Sequence, residues 1–600
     1  MSQDRVIRIG GASGFWGDSS VGAPQLVARG HVDYLVFDYL AELTMSIMAS
    51  ARLKKPELGY ATDFVTVAMK SVLHDVVDKG IRVVSNAGGV NPQGCADALR
   101  ALAAEQNVSI KIALVTGDDV MPQLAQLREA EPPVTELQSG APLPSKVLTA
   151  NAYLGAGSIK AALDAGADIV ITGRCVDSAV TLGILMHEFG WSATDWDKLA
   201  CGSLAGHILE CGCQATGGLH TDWDSVPDWA HIGYPIVECK SDGSFVVTKP
   251  ERTGGLVAPQ VVAEQMLYEI GDPAAYLLPD VICDFTQVQM TRDGPQRVLV
   301  QGARGRAPTH NYKVCATYMD GFKTSAQMTI VGFDAVAKAR RTGEAIFERV
   351  GEMLAVQGLE PFSRIHVEVL GAESCFGPDT QAFGTREVIL RLSACHTDKA
   401  ALELLSREIA PAGTSWAPGT TGFSGRASVS PMIRQYAFLL DKACVEPHVD
   451  LDGVPLHVPP ASQTASDIAP ASEDLNIGLE SEELSLPSIT VPLIRLAWAR
   501  SGDKGNTSNI GVIARQPKWL PLLRAQLTAE SVGRYLGHLV EGPVTRYEVP
   551  GIDAFNFVCE RALDGGGMAS LRNDALGKGM AQILLAMSVQ VPQAWFPSEA

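Results

Sequence analysis

The chain has 600 residues, of which 46% are hydrophobic and 19% charged, and its 48 lysines and arginines against 67 aspartates and glutamates give a formal net charge of −19. This composition excludes an intrinsically disordered chain, a collagen-like fibre and a basic nucleic-acid-binding protein. An acidic globular protein of roughly two to four domains remains, and a chain of this length buries a core without disulfides or a structural metal.

The start of the chain predicts neither export nor a membrane anchor. Charged residues lead directly into a strand-like run at Val6, without the basic and apolar regions of a signal peptide. No apolar run approaches the roughly 18 residues that a membrane-spanning helix needs. The 12 cysteines include no Cys-x-x-Cys pair, which is typical of reduced thiols in a long chain. We therefore expect a cytoplasmic protein that contacts neither nucleic acid nor membrane.

The first 200 residues repeat a short β-branched run, a glycine-rich polar turn and a helical stretch. This order predicts an α/β fold with a parallel βαβ sheet. The predicted strands are Val6–Ile9, Tyr34–Phe37, Ile81–Ser85, Ile110–Val115 and Ala167–Ile171, with helices at Ala96–Glu105 and Ile159–Ala165. Turns that follow parallel strands gather at one sheet edge, where α/β enzymes bind ligands.

The rest of the chain predicts further strands, a linker and a second domain. The large α/β domain is expected to cover 1–445, with a candidate division into two subdomains near 200–250. Residues 446–489 are rich in Ser, Pro, Ala and acids, which is typical of a linker. Residues 490–600 predict a small α+β domain, a ferredoxin-like sandwich. Its predicted elements are strands Val491–Arg500, Asn509–Ala514, Thr545–Val549 and Ala554–Cys559 and helices Ala529–Leu539 and Asn573–Ser588.

The first glycine-rich turn is a candidate phosphate site. Gly11, Ser13, Gly14 and Gly17 lie between a strand and a helix, where backbone N–H groups can face an anion. The spacing is not G-x-G-x-x-G and no G-K-[ST] occurs, so neither a dinucleotide nor a P-loop site is indicated. A tight structural turn is the alternative.

Acidic residues follow three predicted strands. They are Asp38 with Glu42, Asp118 with Asp119, and Asp177 close to Arg174. Neighbouring carboxylates raise one another's pKa, as a general acid or base near neutral pH requires. Helix caps and turns use the same residue types, and Arg174 could either clamp an anion or pair with Asp177.

Two further segments carry reactive residue types. The segment with His207, Glu210, Cys211, Cys213 and His220 matches no established zinc spacing, so no metal ligand is assigned, and Cys211 is a candidate nucleophile. The run from Gly422 to Gly425 is one residue short of the G-x-S-x-G elbow, which argues against an α/β-hydrolase.

The segment 500–509 is predicted as a long ordered loop that binds an anion. Its candidate ligands are Asp503, Lys504, Asn506 and Thr507, with Arg561 and the turn 564–567 beside them. A structural turn rich in Asn and Asp is the alternative.

Several contiguous motifs resemble the acyclic terpene utilisation protein A (AtuA) family. They lie at 8–19, 33–48, 86–89, 171–178, 210–218 and 421–425. The segment 496–511 is similar to the small domain that members of this family often carry. The resemblance implies bacterial breakdown of citronellol- and geraniol-type terpenoids through CoA thioesters, beside acyl-CoA dehydrogenases, biotin-dependent carboxylases and enoyl-CoA hydratases. It supplies no catalytic residue.

Three functional hypotheses follow. The first is a homo-oligomeric enzyme that acts on a branched or carboxylated acyl-CoA by addition, elimination or hydrolysis. In it Asp118, Asp119 or Asp177 moves a proton, Arg174 holds an anion, and the CoA moiety belongs to the substrate, with no separate cofactor. The second is a non-catalytic binding or assembly subunit for an acyl-CoA carboxylase, with the small domain as its contact module. The third is a metal-dependent hydrolase that uses the Glu210–His220 segment.

Overall fold

The computed structural model describes residues 5–422, 425–458 and 488–596. Helices in these ranges are α1 (Gly22–Arg29), α2 (Glu42–Lys54), α3 (Lys70–Asp78), α4 (Pro92–Glu105), α5 (Leu124–Arg128), α6 (Gly157–Asp164), α7 (Ala179–Phe189), α8 (Trp196–Leu209), α9 (Pro259–Met266), α10 (Ala335–Val356), α11 (Lys399–Glu408), α12 (Ala412–Ser415), α13 (Leu520–Gln526), α14 (Ala529–Tyr535) and α15 (Met580–Leu584). None of these helices is long and apolar enough to cross a bilayer.

The strands in the same ranges belong to two large sheets and three smaller ones. They are β1 (Val6–Ser13), β2 (Tyr34–Phe37), β3 (Arg82–Ser85), β4 (Ile112–Thr116), β5 (Thr149–Ala152), β6 (Ile169–Thr172), β7 (Ile236–Lys240), β8 (Phe245–Thr248), β9 (Tyr276–Leu277), β10 (Ile282–Asp284), β11 (Gln289–Arg292), β12 (Val298–Gln301), β13 (Arg304–Arg306), β14 (Asn311–Val331), β15 (Arg364–Leu370), β16 (Glu387–His396), β17 (Thr420–Thr421), β18 (Val429–Asp441), β19 (His448–Leu451), β20 (Val454–Leu456), β21 (Ser488–Pro492), β22 (Ala497–Lys504), β23 (Thr507–Ala514), β24 (Val544–Val549), β25 (Ala554–Cys559) and β26 (Ser588–Pro592).

The first large sheet confirms the predicted parallel βαβ architecture. Its centre has the order β1-β2-β3-β6-β4 with every neighbouring pair parallel. Alternate residues of these strands enter two separate hydrophobic cores, with Val170 in one and Ile169 and Ile171 in the other. The sheet is therefore buried on both faces, which explains its continuous β-branched runs. Antiparallel strands extend it on both sides.

The second large sheet accounts for the looser pattern after residue 200. It is built on the 21-residue strand β14, which pairs with β5, β16, β17 and β18. Helices α10 and α11 bury their apolar sides, including Ile346 and Leu402, against Met328 and Leu390 of this sheet. The pairing of β5 with β14 attaches the second sheet directly to the first βαβ region.

Part of the predicted linker is structured. Strand β19 pairs antiparallel with β4, and β20 pairs with β19, so both extend the first sheet. Val449 is buried there, whereas its neighbours are polar, which is typical of an edge strand and explains the linker-like composition. The linker prediction was therefore wrong for 448–456, and residues 459–487 lie outside the described ranges.

The small domain has a four-stranded antiparallel sheet in the order β22-β23-β25-β24. The predicted loop 500–509 is instead a tight hairpin, because β22 runs to Lys504, β23 begins at Thr507, and only Gly505 and Asn506 turn the chain. Gly505 adopts a φ of 64°, which a two-residue hairpin turn requires. The helix predicted over Asn573–Ser588 is confined to α15 and is followed by β26.

Direct contacts join the small domain to the large one. Arg515 makes a bidentate ion pair with Asp222, with two N–O distances of 2.6 Å, and Trp498 Nε1 donates to the same carboxylate at 2.6 Å. Deeper in the interface, Asn509 Nδ2 donates to Leu267 O at 2.6 Å. Asp222 is thus the acceptor for two side chains of the small domain.

We expect Asp222→Ala to lower the free energy of unfolding by about 1 to 2 kcal/mol, because it leaves Arg515 and Trp498 without their acceptor in a half-buried interface. Denaturant unfolding measures this change. Asp224→Ala removes an exposed carboxylate two residues away and should stay within about 0.5 kcal/mol of the wild type. Equal losses in the two variants would contradict the assignment.

Candidate active site

Three carboxylates meet at the carboxyl edge of the parallel strands. Asp38 follows β2, Asp177 follows β6, and Glu210 ends α8, and an oxygen of each lies within 4.8 Å of the others. Asn86, which follows β3, donates Nδ2 to Asp38 Oδ1 at 2.5 Å. We call Asp38, Asp177 and Glu210 the acid cluster.

Burial and repulsion between neighbouring carboxylates raise the pKa of two members of the acid cluster, Asp38 and Glu210. Burial, together with the charges of Asp177 and Glu210, raises the pKa of Asp38 well above its ordinary value. Burial also raises the pKa of Glu210, against the opposing effect of His207. Carboxyl groups with unequal, raised pKa values supply both a proton donor and a proton acceptor near neutral pH.

His207 adds an imidazole to this edge. Its Nδ1 lies 2.8 Å from Glu210 Oε1, and its Nε2 lies 3.1 Å from Met266 O. A carbonyl oxygen only accepts, so Nε2 carries a proton. Burial works against the imidazolium, but Glu210 outweighs it and raises the pKa of His207.

Two cations flank the acid cluster. Arg174 is buried, donates Nη1 to Asp177 Oδ1 at 2.7 Å, and stacks 4.1 Å above the ring of Tyr153. Lys504 comes from the hairpin of the small domain, with Nζ 3.0 Å from Glu269. Burial works against its charge, but Glu269, Tyr276, Asp177 and Glu42 raise the pKa of Lys504 well above its ordinary value. The site therefore combines groups from both domains.

A cleft of about 200 Å³ opens beside Arg174. It is lined by Glu42, Met45, Thr149, Asn151, Tyr153, Arg174, Cys315 and Thr317. Tyr153 donates its hydroxyl to Glu42 Oε1 at 2.6 Å. Burial opposes ionisation of Glu42, but Lys313, Arg174 and Lys504 outweigh it and lower its pKa to about 2. The cleft thus holds a fixed negative charge among cations.

The two carboxylates of the predicted pair Asp118 and Asp119 lie in different environments. Asp118 is buried, and its Oδ2 accepts from Asn151 Nδ2 at 2.8 Å and from Arg174 N at 2.9 Å. Burial raises its pKa to about 6. Asp119 is exposed and accepts from Met121 N at 2.9 Å, as a turn cap does. Asp118 therefore positions the strand end that carries Arg174, and Asp119 lies outside the site.

The glycine-rich turn brings α8 close to the sheet. A Cβ at Gly11 would lie 2.9 Å from Leu209 O, and one at Gly14 would lie 2.8 Å from Cys211 C, so only glycine allows this approach. Gly14 N donates to Asp18 Oδ2 at 2.9 Å, and Ser13 Oγ donates to Phe15 O at 3.0 Å. Gly17 turns the chain with a φ of 103°. These contacts position Glu210, and an anion at Gly14 N would have to displace Asp18.

The Cys211 and His220 candidates do not join the acid cluster as reactive groups. Burial and the Glu210 charge raise the pKa of Cys211 well above its ordinary value, so the thiol is neutral at neutral pH. His220 Nδ1 lies 2.7 Å from Glu264 Oε2, and both side chains are fully buried. The segment from Glu210 to His220 is thus divided between two clusters.

The side chains of the predicted hairpin ligands have different hydrogen-bond partners. Asp503 accepts from Lys578 Nζ at 2.8 Å, Asn506 Oδ1 accepts from Gly565 N at 2.9 Å, and Thr507 Oγ1 accepts from Gln138 Nε2 at 3.0 Å. These contacts hold the hairpin tip in place. Lys504 is the hairpin candidate whose charge acts on the acid cluster. Ser424, of the near-elbow motif, lies outside the described residues.

Among the residues that the structure describes, the acid cluster is a group of side chains that could hold a metal ion. Its oxygen ligands and their spacing match the preference of a hard divalent cation such as Mg²⁺, Ca²⁺ or Mn²⁺. Neither Cys211 nor His220 belongs to this group.

The sequence singled out Asp38 with Glu42 as a carboxylate pair, and it placed His207 and Glu210 in the segment of the metal-dependent alternative. It did not bring these residues into one site, and it gave Tyr153 no role. The position of Asp38 could have been recognised, because it directly follows a buried strand whose neighbour in the sheet ends at Ser85, just before Asn86. Glu210 and Tyr153 carried no such signal, since helix α8 and strand β5 reach the sheet edge only through tertiary packing.

Asp118→Asn should alter the pH dependence of stability. The pKa of Asp118 is about 6 in the folded protein and about 3.8 when unfolded, so ionisation disfavours folding as pH rises through this interval. Between pH 4 and pH 7, the free energy of unfolding of the wild type should fall by about 2 to 3 kcal/mol relative to that of Asp118→Asn. Denaturant unfolding across this range measures the difference. Asp119→Asn is the matched control, and a pH-independent difference for Asp118→Asn would contradict the prediction.

Comparisons with known proteins agree with this architecture. The family model described as "Acyclic terpene utilisation family protein AtuA" matches residues 7–451, and the model described as "AtuA ferredoxin-like domain" matches residues 491–590. No curated protein and no solved structure matches the chain. The first match covers more than half of the chain, from β1 to β19, and includes every acid-cluster residue; the chain belongs to the AtuA family of acyclic terpene utilisation proteins.

Proposed function

We propose that this protein is an enzyme that acts on the CoA thioester of an acyclic terpenoid or related branched acid by proton-transfer chemistry, with reversible hydration as the main candidate among addition, elimination and hydrolysis. The observation that carries the proposal is the acid cluster, whose carboxylate oxygens lie within 4.8 Å of one another, with Arg174 paired to Asp177 and the charge of Lys504 nearby. Family membership supports the choice of a terpenoid pathway.

The roles follow from protonation and charge. One ionised carboxylate of the acid cluster takes a proton from water, whose oxygen bonds to the β-carbon of an α,β-unsaturated thioester. A protonated neighbour in the cluster gives its proton to the α-carbon, so that one water adds across the double bond. Arg174 and Lys504 stabilise the negative charge that develops on the thioester oxygen during this addition. The His207 imidazole, 2.8 Å from Glu210, can return the proton.

The direct test is incubation of the pure protein with saturated, unsaturated and carboxylated branched CoA thioesters, followed by mass spectrometry in normal and ¹⁸O-labelled water. We expect an unsaturated thioester to gain one labelled water. Asp177→Asn and Glu210→Gln should each lower turnover by about 10²- to 10⁴-fold, because each removes a proton-transfer group.

Asp97→Asn, which changes an exposed carboxylate on α4, is the control and should keep full turnover. Full turnover in both acid-cluster variants would overturn the proposal. It would also be overturned if the wild-type protein converted none of the thioesters in the panel.

A metal-assisted reaction is the second candidate, favoured by the oxygen spacing of the acid cluster. A bound cation would relieve the repulsion among the carboxylates, so millimolar Mg²⁺ or Mn²⁺ should raise the thermal unfolding midpoint of the wild type. Asp177→Asn should remove this response. An unchanged wild-type midpoint, with turnover insensitive to EDTA, rejects this candidate.

A further inference from the structure

Four cations project from adjacent strands of the second sheet toward the small domain. They are Lys323 on β14, Arg364 on β15, Arg391 on β16 and Arg434 on β18. Their carboxylate partners are Asp320, Glu368 and Asp564, so the group has one more positive than negative charge. Lys323 Nζ donates to the carbonyl of Met568 at 2.7 Å and has no carboxylate partner within the described ranges. This excess is notable in a chain with a net charge of −19.

Two of these cations converge on one exposed glycine. Arg364 uses Nη2 for Asp564 at 2.6 Å, and Arg434 uses Nε for Asp320 at 2.5 Å. Their Nη1 atoms have no hydrogen-bond partner among residues 5–422, 425–458 and 488–596. A Cβ at Gly565 would lie 2.9 Å from Arg434 Nη1 and 3.5 Å from Arg364 Nη1. The two Nη1 donors therefore lie close together beside the exposed backbone of Gly565, where one phosphate group can accept from both.

We propose that Arg364 and Arg434, converging over Gly565, bind a phosphate group of the CoA moiety. Guanidinium groups are well matched to phosphate because they donate several N–H bonds in one plane. Both side chains are partly exposed, at 31% and 24%, so a ligand can reach them.

The position of this phosphate site connects it to the acid cluster. Gly565 N donates to Asn506 Oδ1, and Asn506 is in the hairpin turn that follows Lys504. Lys504 in turn interacts electrostatically with Asp177 and Glu42. A CoA thioester could therefore place its acyl group at the acid cluster and its nucleotide end near Gly565. The inference rests on the proposed function, because that function supplies the CoA ester.

Calorimetric titration of the full chain with CoA, dephospho-CoA, pantetheine and inorganic phosphate tests the site. We expect CoA to bind most tightly, and Arg364→Gln and Arg434→Gln each to weaken CoA binding by about tenfold or more while leaving pantetheine unchanged. Arg534→Gln removes an exposed arginine elsewhere on the small domain and should bind CoA as the wild type does.

Asp564→Asn separates ligand binding from domain docking. It breaks the same ion pair as Arg364→Gln but keeps both guanidinium groups, so it should bind CoA at least as tightly as the wild type. Equal weakening by Asp564→Asn and Arg364→Gln would assign the arginines to docking and overturn the phosphate site. Pantetheine or inorganic phosphate binding as tightly as CoA would overturn it as well. Turnover of pantetheine thioesters tests the proposed function independently of the phosphate site, because these thioesters lack the phosphates.

Discussion

The close approach of three carboxylates, one buried and two partly buried, is the constraint on which the rest of the structure depends. Ionised groups at this spacing repel one another and lose hydration, so they persist only if they are protonated, paired with cations or bonded by donors. The chain provides all three. Asn86 donates to Asp38, Arg174 pairs with Asp177, and Lys504 adds positive charge from the small domain. Groups from both domains thus contribute to the charge balance of the acid cluster.

This dependence explains why the small domain is attached through charged contacts. Lys578 lies 2.9 Å from Glu269 and 2.8 Å from Asp503, and Lys504 lies 3.0 Å from the same Glu269. Glu269 belongs to the large domain and holds two lysines of the small one. The same ion pairs that dock the domain therefore also fix the position of the ammonium group that faces the acid cluster.

The sequence predicted the parallel sheet and the small sandwich because both depend on local patterns. Continuous β-branched runs defined β2, β3 and β6, and alternation defined β24 and β25 almost to the residue. The sequence prediction was wrong at 500–509. The polar residues there indicated a loop, but they lie in two paired strands and their side chains bond across the domain interface. It also could not place Glu210 or Tyr153, whose positions arise from the packing of α8 and β5 on elements distant in sequence. The sequence indicated that Arg174 and Lys504 could bind anions, but it did not indicate that both would lie near the acid cluster.

The acid cluster and the arginines near Gly565 have opposite charge, which would give a bound ligand a preferred direction. The acidic groups repel anions except where Arg174 and Lys504 neutralise them, whereas Arg364 and Arg434 present free donors near Gly565. A ligand with a neutral acyl end and a polyanionic end is favoured in only one orientation by such a field. The net charge of −19 strengthens this preference for one orientation, because it disfavours the binding of anions at every part of the surface without a local excess of positive charge. The overall charge and the small cationic group would therefore act together to orient the proposed CoA thioester.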